Sequence, residues 1–344
     1  MINIKQRLLK STFFPKLLSR SIKLVWWTFT LQLPTKVKEW HLSRSNIHLG
    51  NTYFAPQINN CCFAVPFEYQ FEKQKEIPHL AVVCHMYYPE MIEEFKHYLL
   101  NIPFFFDLFI TTDSVQKKDL IAKGLIGWSK GAVEIRLSPN RGRDISPKLV
   151  TCHDVYDRYE FFLHIHTKKS PHLENLAGWR SYLLETLLGS EEIVQSIFDA
   201  FASDPSLGMI APEHFDEVRL GIGWGLNYSQ AKEFASQLGI ELSKDERIDF
   251  PSGSMFWGRS AALKPILNIH LSVMDFPPED RQTDGTLGHI IERLYYYICE
   301  QAGYRWLKIA RPLLMESDHR LIHIETKTSL AELIKVTQFK LLAI

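Results

Sequence analysis

Three observations predict an α/β fold built on a mostly parallel sheet flanked by helices. Between residues 80 and 166, apolar runs of strand length alternate with segments of helical period. Two of those runs end in polar clusters, Ser138-Pro139-Asn140-Arg141-Gly142-Arg143-Asp144 and His166-Thr167-Lys168-Lys169-Ser170. Strand ends facing helix starts are where open α/β sheets hold anionic ligands, because unpaired backbone N–H groups and the helix dipole point there.

Taken in order, the strands and helices form a βαβαβαβ run. Leu80-Ala81-Val82-Val83-Cys84 is a continuous apolar run suited to a buried strand. Pro89 stands at a first helical turn, and Met91, Ile92, Phe95 and Leu99 recur at helical spacing after it. Residues 105–111 make a second strand, and 114–123 a second helix stopped by Gly124. The third strand is 133–137, the third helix 147–157 and the fourth strand 161–166. A parallel sheet covered by helices follows from that alternation.

Beyond it, the spacing predicts a long helix over 174–188 and another from Ser190, with Glu191 and Glu192 favouring its N-terminus. A strand at 207–211, a helix at 228–238 and a loop entering a strand at 251–257 come next. The last long helix opens at Asp284-Gly285-Thr286 and buries Leu287, Ile290, Ile291, Leu294 and Ile298, and a closing strand spans 306–310. Residues 311–344 read as a tail with one short helix, and 46–76 as a linker holding at most one strand.

Composition is that of an ordinary globular protein, 46% hydrophobic and 23% charged over 344 residues. Net charge is zero, yet residues 1–50 carry nine Lys or Arg against Glu39 alone, leaving −8 on the remainder. This asymmetry argues against a nucleic-acid-binding body. Bases beside Phe13, Phe14, Trp26 and Trp27 suit an amphipathic helix at an anionic membrane surface, the alternative being a helix that caps the main domain. The apolar stretch there is shorter than the roughly 20 residues of a membrane span. It also lacks a small-residue cleavage site. Five cysteines without CxxC spacing read as reduced cytosolic thiols. The expected domains are a basic extension and linker, 1–76, a main domain, 77–310, and the tail.

Several side chains are candidates for chemistry. In residues 140–144, Gly142 permits a tight backbone, and Arg141 and Arg143 offer planar donors for phosphate or carboxylate, unless the loop is merely solvated with an internal Arg143–Asp144 pair. His164 and His166 share one strand face with Lys168 following. Two imidazoles so spaced can ligate a metal, but no Cys or carboxylate nearby in sequence completes a set. A phosphate site of His166, Lys168 and Lys169 is chemically simpler. Gly221-Ile222-Gly223-Trp224-Gly225 has the glycine density of a dinucleotide loop but does not join a first strand to its helix. Glu279, Asp280 and Asp284 precede the last long helix, where a carboxylate can act as general base or, for Asp284, as an N-cap. Trp179 and Trp257 can stack on sugar rings or fill core.

From about residue 80 to 310 the chain resembles the rhamnan synthesis F family of bacterial polysaccharide glycosyltransferases. The resemblance rests on five blocks in the family's order: residues 140–147, 166–170, Gly208-Met209-Ile210-Ala211-Pro212, Gly253-Ser254-Met255-Phe256-Trp257 and residues 284–294 with His289. It implies a GT-A-like, Rossmann-type fold and transfer of L-rhamnose, typically from dTDP-L-rhamnose, onto a cell-surface glycan or lipopolysaccharide at the cytoplasmic face of the membrane. His85, Tyr87 and Asp113, at the first two strand ends, then contact the nucleoside, and residues 140–144 with His166, Lys168 and Lys169 the diphosphate. Asp284, or next Glu279, serves as the base, and Trp257 and Trp179 meet the acceptor. In that fold the fourth strand normally ends in an Asp-x-Asp pair holding a divalent metal. Here His166-Thr167-Lys168 takes its place, so Lys168 with Arg141 or Arg143 is expected to neutralise the leaving diphosphate without a cofactor. Mg or Mn remains open, with His164, His166 and His289 the histidines available to it. The missing pair equally suits a non-catalytic nucleotide-sugar or glycan-binding subunit of an assembly complex.

Overall fold

The first strand of the predicted alternation, β2 (Leu80–His85), is buried along its whole length and paired in parallel with β3 (Asp107–Thr112) on one side and β5 (Phe161–His166) on the other. A computed structural model describes residues 61–70, 79–167, 178–219, 221–244, 248–279, 284–315, 321–337 and 341. The basic segment, Lys168, Lys169 and Asp280 lie outside these residues.

Among the described residues the sheet has nine strands, in the order β4-β3-β2-β5-β7-β6-β8-β1-β9. Besides those named, they are β1 (Cys62–Ala64), β4 (Val133–Leu137), β6 (Leu207–Pro212), β7 (Phe256–Arg259), β8 (Arg305–Ala310) and β9 (Leu321–Ile322). All pairings are parallel except those of β7, which runs antiparallel to both β5 and β6. The sheet is therefore mostly parallel and flanked by helices, as the alternation of apolar runs requires. β1 and β9 join the sheet from beyond both ends of the 77–310 span, because β8 has an open edge that β1 covers and β9 extends.

The helices are α1 (Ile92–Leu99), α2 (Val115–Gly124), α3 (Val155–Arg158), α4 (Trp179–Leu188), α5 (Glu191–Ser203), α6 (Asp216–Arg219), α7 (Tyr228–Gln237), α8 (Lys264–Leu267), α9 (Leu287–Gln301) and α10 (Lys327–Val336). Ser114 and Ser190 cap α2 and α5 by accepting from Lys117 N and Ile193 N. The single helix expected over 147–157 is instead a widened π turn, Pro147–Thr151, closed by Cys152 N to Pro147 O at 3.1 Å, followed by the short α3. α6, α8 and β9 are too short to give a periodic signal in sequence.

Leaving β2, the chain moves outward through β3 to β4, then returns across both to place β5 on β2's other side. The connections after β2 and β5 thus diverge, and a crevice is expected between the two strand ends. Among the described residues no helix is long and apolar enough to cross a membrane.

Candidate functional site

The ends of β2 and β5 are in register, with His85 opposite His166. Thr167 N donates to His85 O at 3.0 Å and Thr167 Oγ1 accepts from Tyr88 N at 3.1 Å, joining the two diverging loops. His85 Nδ1 lies 3.0 Å from Thr111 Oγ1 at the end of β3. Burial, helped by His166 and Lys117 and opposed by Asp144 and Asp113, lowers the His85 pKa to about 4. Beside it, Lys117 Nζ bonds Asp113 Oδ1 at 2.7 Å and sits 3.5 Å from the Tyr87 ring centroid, so His85, Tyr87 and Asp113 gather at one edge.

The 140–144 loop follows β4 and reaches across to that edge. Gly142 adopts φ +67°, and a Cβ there would stand 2.3 Å from the Phe276 ring, so only glycine seats the loop this closely. Arg141 Nε donates to Phe276 O at 2.7 Å, and Arg143, itself left-handed at φ 53°, donates its backbone N–H to Glu279 Oε1 at 3.1 Å. Asn140 is exposed at the loop's start. Asp144 is buried, with its carboxylate oxygens 4.0 Å from His164 Nε2 and 3.9 Å from His166 Nε2. Burial alone raises the Asp144 pKa; His166, His164 and Lys148 more than reverse this and hold it well below the usual carboxylate range.

Both histidines turn toward the loop entering β7. His164 Nδ1 donates to Ser254 O at 2.5 Å and His166 Nε2 to Gly253 O at 2.8 Å. Those carbonyls are aimed by two successive left-handed residues, Gly253 at φ 86° and Ser254 at φ 58°. Burial drives the His164 pKa well down, with Lys148 adding to it, so His164 is a neutral donor. Each histidine thus gives one ring N–H to a carbonyl, and the buried Lys148 lies beside them. Among the described residues no three His, Cys, Asp or Glu side chains gather to hold a metal.

Lys148 was not anticipated from the sequence. Its side chain is fully buried, with Nζ 3.9 Å from the Tyr295 ring centroid and 4.6 Å from that of Phe256. Burial pulls its pKa down to about 7, against the pull of Asp144 and Glu292. Glu292, also unanticipated, accepts from Gly253 N at 2.8 Å. A further buried set lies along the same edge of the sheet: Lys308 Nζ bridges Glu213 at 2.8 Å and Asp249 at 3.0 Å. His214 joins Asp249 at 3.0 Å to Ser252 at 2.9 Å. A lysine inside the apolar 306–310 strand and the Glu213-His214 pair at a strand end were the signals available.

The two carboxylates before α9 serve different loops. Asp284 Oδ1 accepts from Asn227 Nδ2 at 2.7 Å and faces Arg293 Nη2 at 3.3 Å, bracing the 224–227 loop against α9. Glu279 instead faces Arg143 across the 140–144 loop. His289, the third residue of α9, folds back onto Thr286. Trp257 corrects a sugar-stacking expectation: it is 0% exposed, because both faces of β7 are covered, and its indole donates to Leu187 O at 3.3 Å. Trp179 begins α4 and is also buried, 9% exposed, with its ring 3.2 Å from where a Cβ on Gly253 would lie.

Two relatives from strains of Xanthomonas campestris pv. campestris, each called "Uncharacterized protein WxcX", are 33% identical over 242 residues. The match covers 69% of this chain and 33% of theirs, so the chain spans about a third of the length of the curated relatives it matches. A solved structure, the mannosyltransferase PcManGT from Pyrobaculum calidifontis in complex with GDP-Man and Mn2+, is similar at 11% identity and a TM-score of 0.39, covering 70% of this chain and 58% of that one. The profile of rhamnan synthesis protein F (RgpF) matches residues 56–304, which include every described candidate residue named above except Lys308, and the chain belongs to that family.

Proposed function

We propose that the chain is a glycosyltransferase that moves a deoxyhexose, L-rhamnose from dTDP-L-rhamnose, onto a growing cell-surface polysaccharide or lipopolysaccharide glycan. The observation that carries this reading is the pair of adjacent strand ends, His85 of β2 and His166 of β5, beyond which the connections run to opposite sides of the sheet. Tyr87, Asp113 and the arginine loop lie on the same edge, on a chain of a family named for rhamnan synthesis. Strand ends so arranged suit a nucleotide.

In the inverting reaction, an acceptor hydroxyl oxygen attacks the anomeric carbon and the bond from that carbon to the diphosphate oxygen breaks. The leaving diphosphate takes the bonding electron pair. Arg141 or Arg143, with Lys168, balances its charge. Asp284, or failing it Glu279, takes the hydroxyl proton. Trp179, at the margin of the 251–254 loop, is the remaining candidate for stacking on the acceptor. The basic N-terminal segment holds the protein to the anionic cytoplasmic face of the membrane, where a lipid-linked glycan is presented.

Purified protein offered a panel of nucleotide sugars with a simple rhamnose-terminated acceptor tests this. Transfer from dTDP-rhamnose that persists in EDTA is the expected result. Loss of transfer in EDTA and its return with Mg2+ or Mn2+ would remove Lys168 and the arginines from the leaving-group role. Donor binding with neither transfer nor hydrolysis would establish the alternative, a non-catalytic nucleotide-sugar-binding subunit.

A further inference from the structure

His289 is 6% exposed, yet its Nε2 has no hydrogen-bond partner. Its other ring nitrogen fixes the tautomer. Nδ1 accepts from Thr286 N at 3.4 Å and lies 2.8 Å from Thr286 Oγ1, which in turn accepts the backbone N–H of His289. A nitrogen that accepts a backbone N–H carries no proton of its own, so the imidazole proton is on Nε2. The result is a buried N–H donor without an acceptor, an arrangement proteins rarely leave unfilled.

The surroundings select the kind of acceptor. His289 is the third residue of α9, fifteen residues long, whose N-terminus carries the positive end of the helix dipole. The 140–144 loop packs on this turn, with Gly142 O 3.6 Å from the Cβ position of Gly288. That contact brings Arg143 close enough for its charge to reinforce the burial that keeps His289 neutral, its pKa lowered to about 4. Arg143 is 45% exposed, and Thr286 and Leu287 are half-buried, so the turn opens to the surface. A neutral N–H donor, a guanidinium and a helix N-terminus together favour an oxyanion, and the Glu279 carboxylate already faces the guanidinium at 3.7 Å.

We propose that the first turn of α9, His289 Nε2–H and the Arg143 guanidinium form a subsite for a phosphate oxyanion, the diphosphate of the nucleotide-sugar donor. This rests on the transferase reading. The same chemistry can come from the diphosphate of a lipid-linked acceptor, and the test separates the two. His289 acts here as a positioning donor, present in neutral form across the physiological range.

The test measures binding by the full chain of dTDP, UDP, GDP, inorganic pyrophosphate and a short isoprenyl diphosphate, for the wild type, His289→Gln and His289→Glu. Both replacements keep the Thr-x-x-Gln/Glu capping box, so α9 keeps its start and thermal unfolding confirms it. Glutamine offers a substitute N–H, whereas glutamate sets a negative charge in the subsite. The expected result is dTDP and pyrophosphate affinity weakened about tenfold to hundredfold by His289→Glu and much less by His289→Gln. Equal dTDP affinity in all three proteins would overturn the subsite while leaving the transferase reading intact. Isoprenyl diphosphate binding that His289→Glu abolishes, with no binding of any nucleoside diphosphate, would keep the oxyanion subsite and assign it to the acceptor, overturning the donor assignment. Wild-type protein that binds none of these anions would overturn both.

Discussion

His85, His164 and His289 are buried imidazoles that the fold holds neutral, and each lowers its pKa by burial first. Protonating them costs more in the folded chain than in the unfolded one. For His85 the folded value is about 4 and the ordinary one 6.5. The unfolded chain therefore binds more protons between those values. Its contribution is present above pH 6.5 and is lost as pH falls toward 4. Fully developed, that is about 3 kcal/mol from His85. Urea unfolding followed from pH 7 to pH 4 is expected to show a steep loss of stability that is shallower in a His85→Gln variant. Parallel profiles for the two proteins would sink the assignment. At this scale the sequence was informative about polar residues at strand ends: His85, Asp113, Arg141, Asp144 and His166 do lie along one edge. It was silent on Lys148 and Glu292, because nothing in a helical pattern distinguishes a charged residue that faces the core from one that faces water. Trp257 shows the converse error, since a large aromatic at a strand start has the same local signature whether it lines a cleft or fills the core.

Elements were legible where period and caps agreed, as in α2 and α5 with their serine caps. The expected 147–157 helix was not, because a π turn and a short α-helix share the apolar spacing of a single helix while turning Lys148 inward. β7 was legible as a strand but not in its direction, which depends on partners distant in sequence. Asp284 belongs at this scale too, since it joins a loop to a helix. The Asn227 amide donates to one of its oxygens at 2.7 Å, which also faces Arg293, and among the described residues the other accepts from Leu226 N at 3.5 Å. Asp284→Asn is nearly isosteric, so donor affinity and the unfolding midpoint are expected to change little while turnover falls about 10²–10⁴-fold. Full activity in this variant would exclude Asp284 and pass the role to Glu279. Equal losses of stability and turnover would mean that the residue only braces the loop.

Across the whole molecule, β7 stitches together two parallel halves, β4-β3-β2-β5 and β6-β8-β1-β9. The loop that enters it serves both. Asp249 and Ser252 belong to the buried cluster with Lys308, Glu213 and His214, whereas the next two residues, Gly253 and Ser254, give their carbonyls to His166 and His164. No pattern in the sequence reveals this coupling, because its members come from four separated stretches. Lys308 is its pivot: the ammonium lies between two carboxylates, and all three side chains are at most 2% exposed. Burial alone raises the Glu213 pKa, but Lys308, with His214 and Arg219 beside it, keeps it low. Removing the cation leaves two buried carboxylates facing one another. Lys308→Met fills a similar volume, so the loss is chiefly electrostatic, about 3–5 kcal/mol. Because the same loop orients His164 and His166, the variant is also expected to bind nucleotide more weakly, although Lys308 touches neither histidine. Denaturation and dTDP titration on the same preparation check both effects. A variant within about 1 kcal/mol of wild type would mean that the two carboxylates shed their charge at little cost. Unchanged nucleotide affinity in a destabilised variant would mean that the 249–254 loop holds its shape without the cluster.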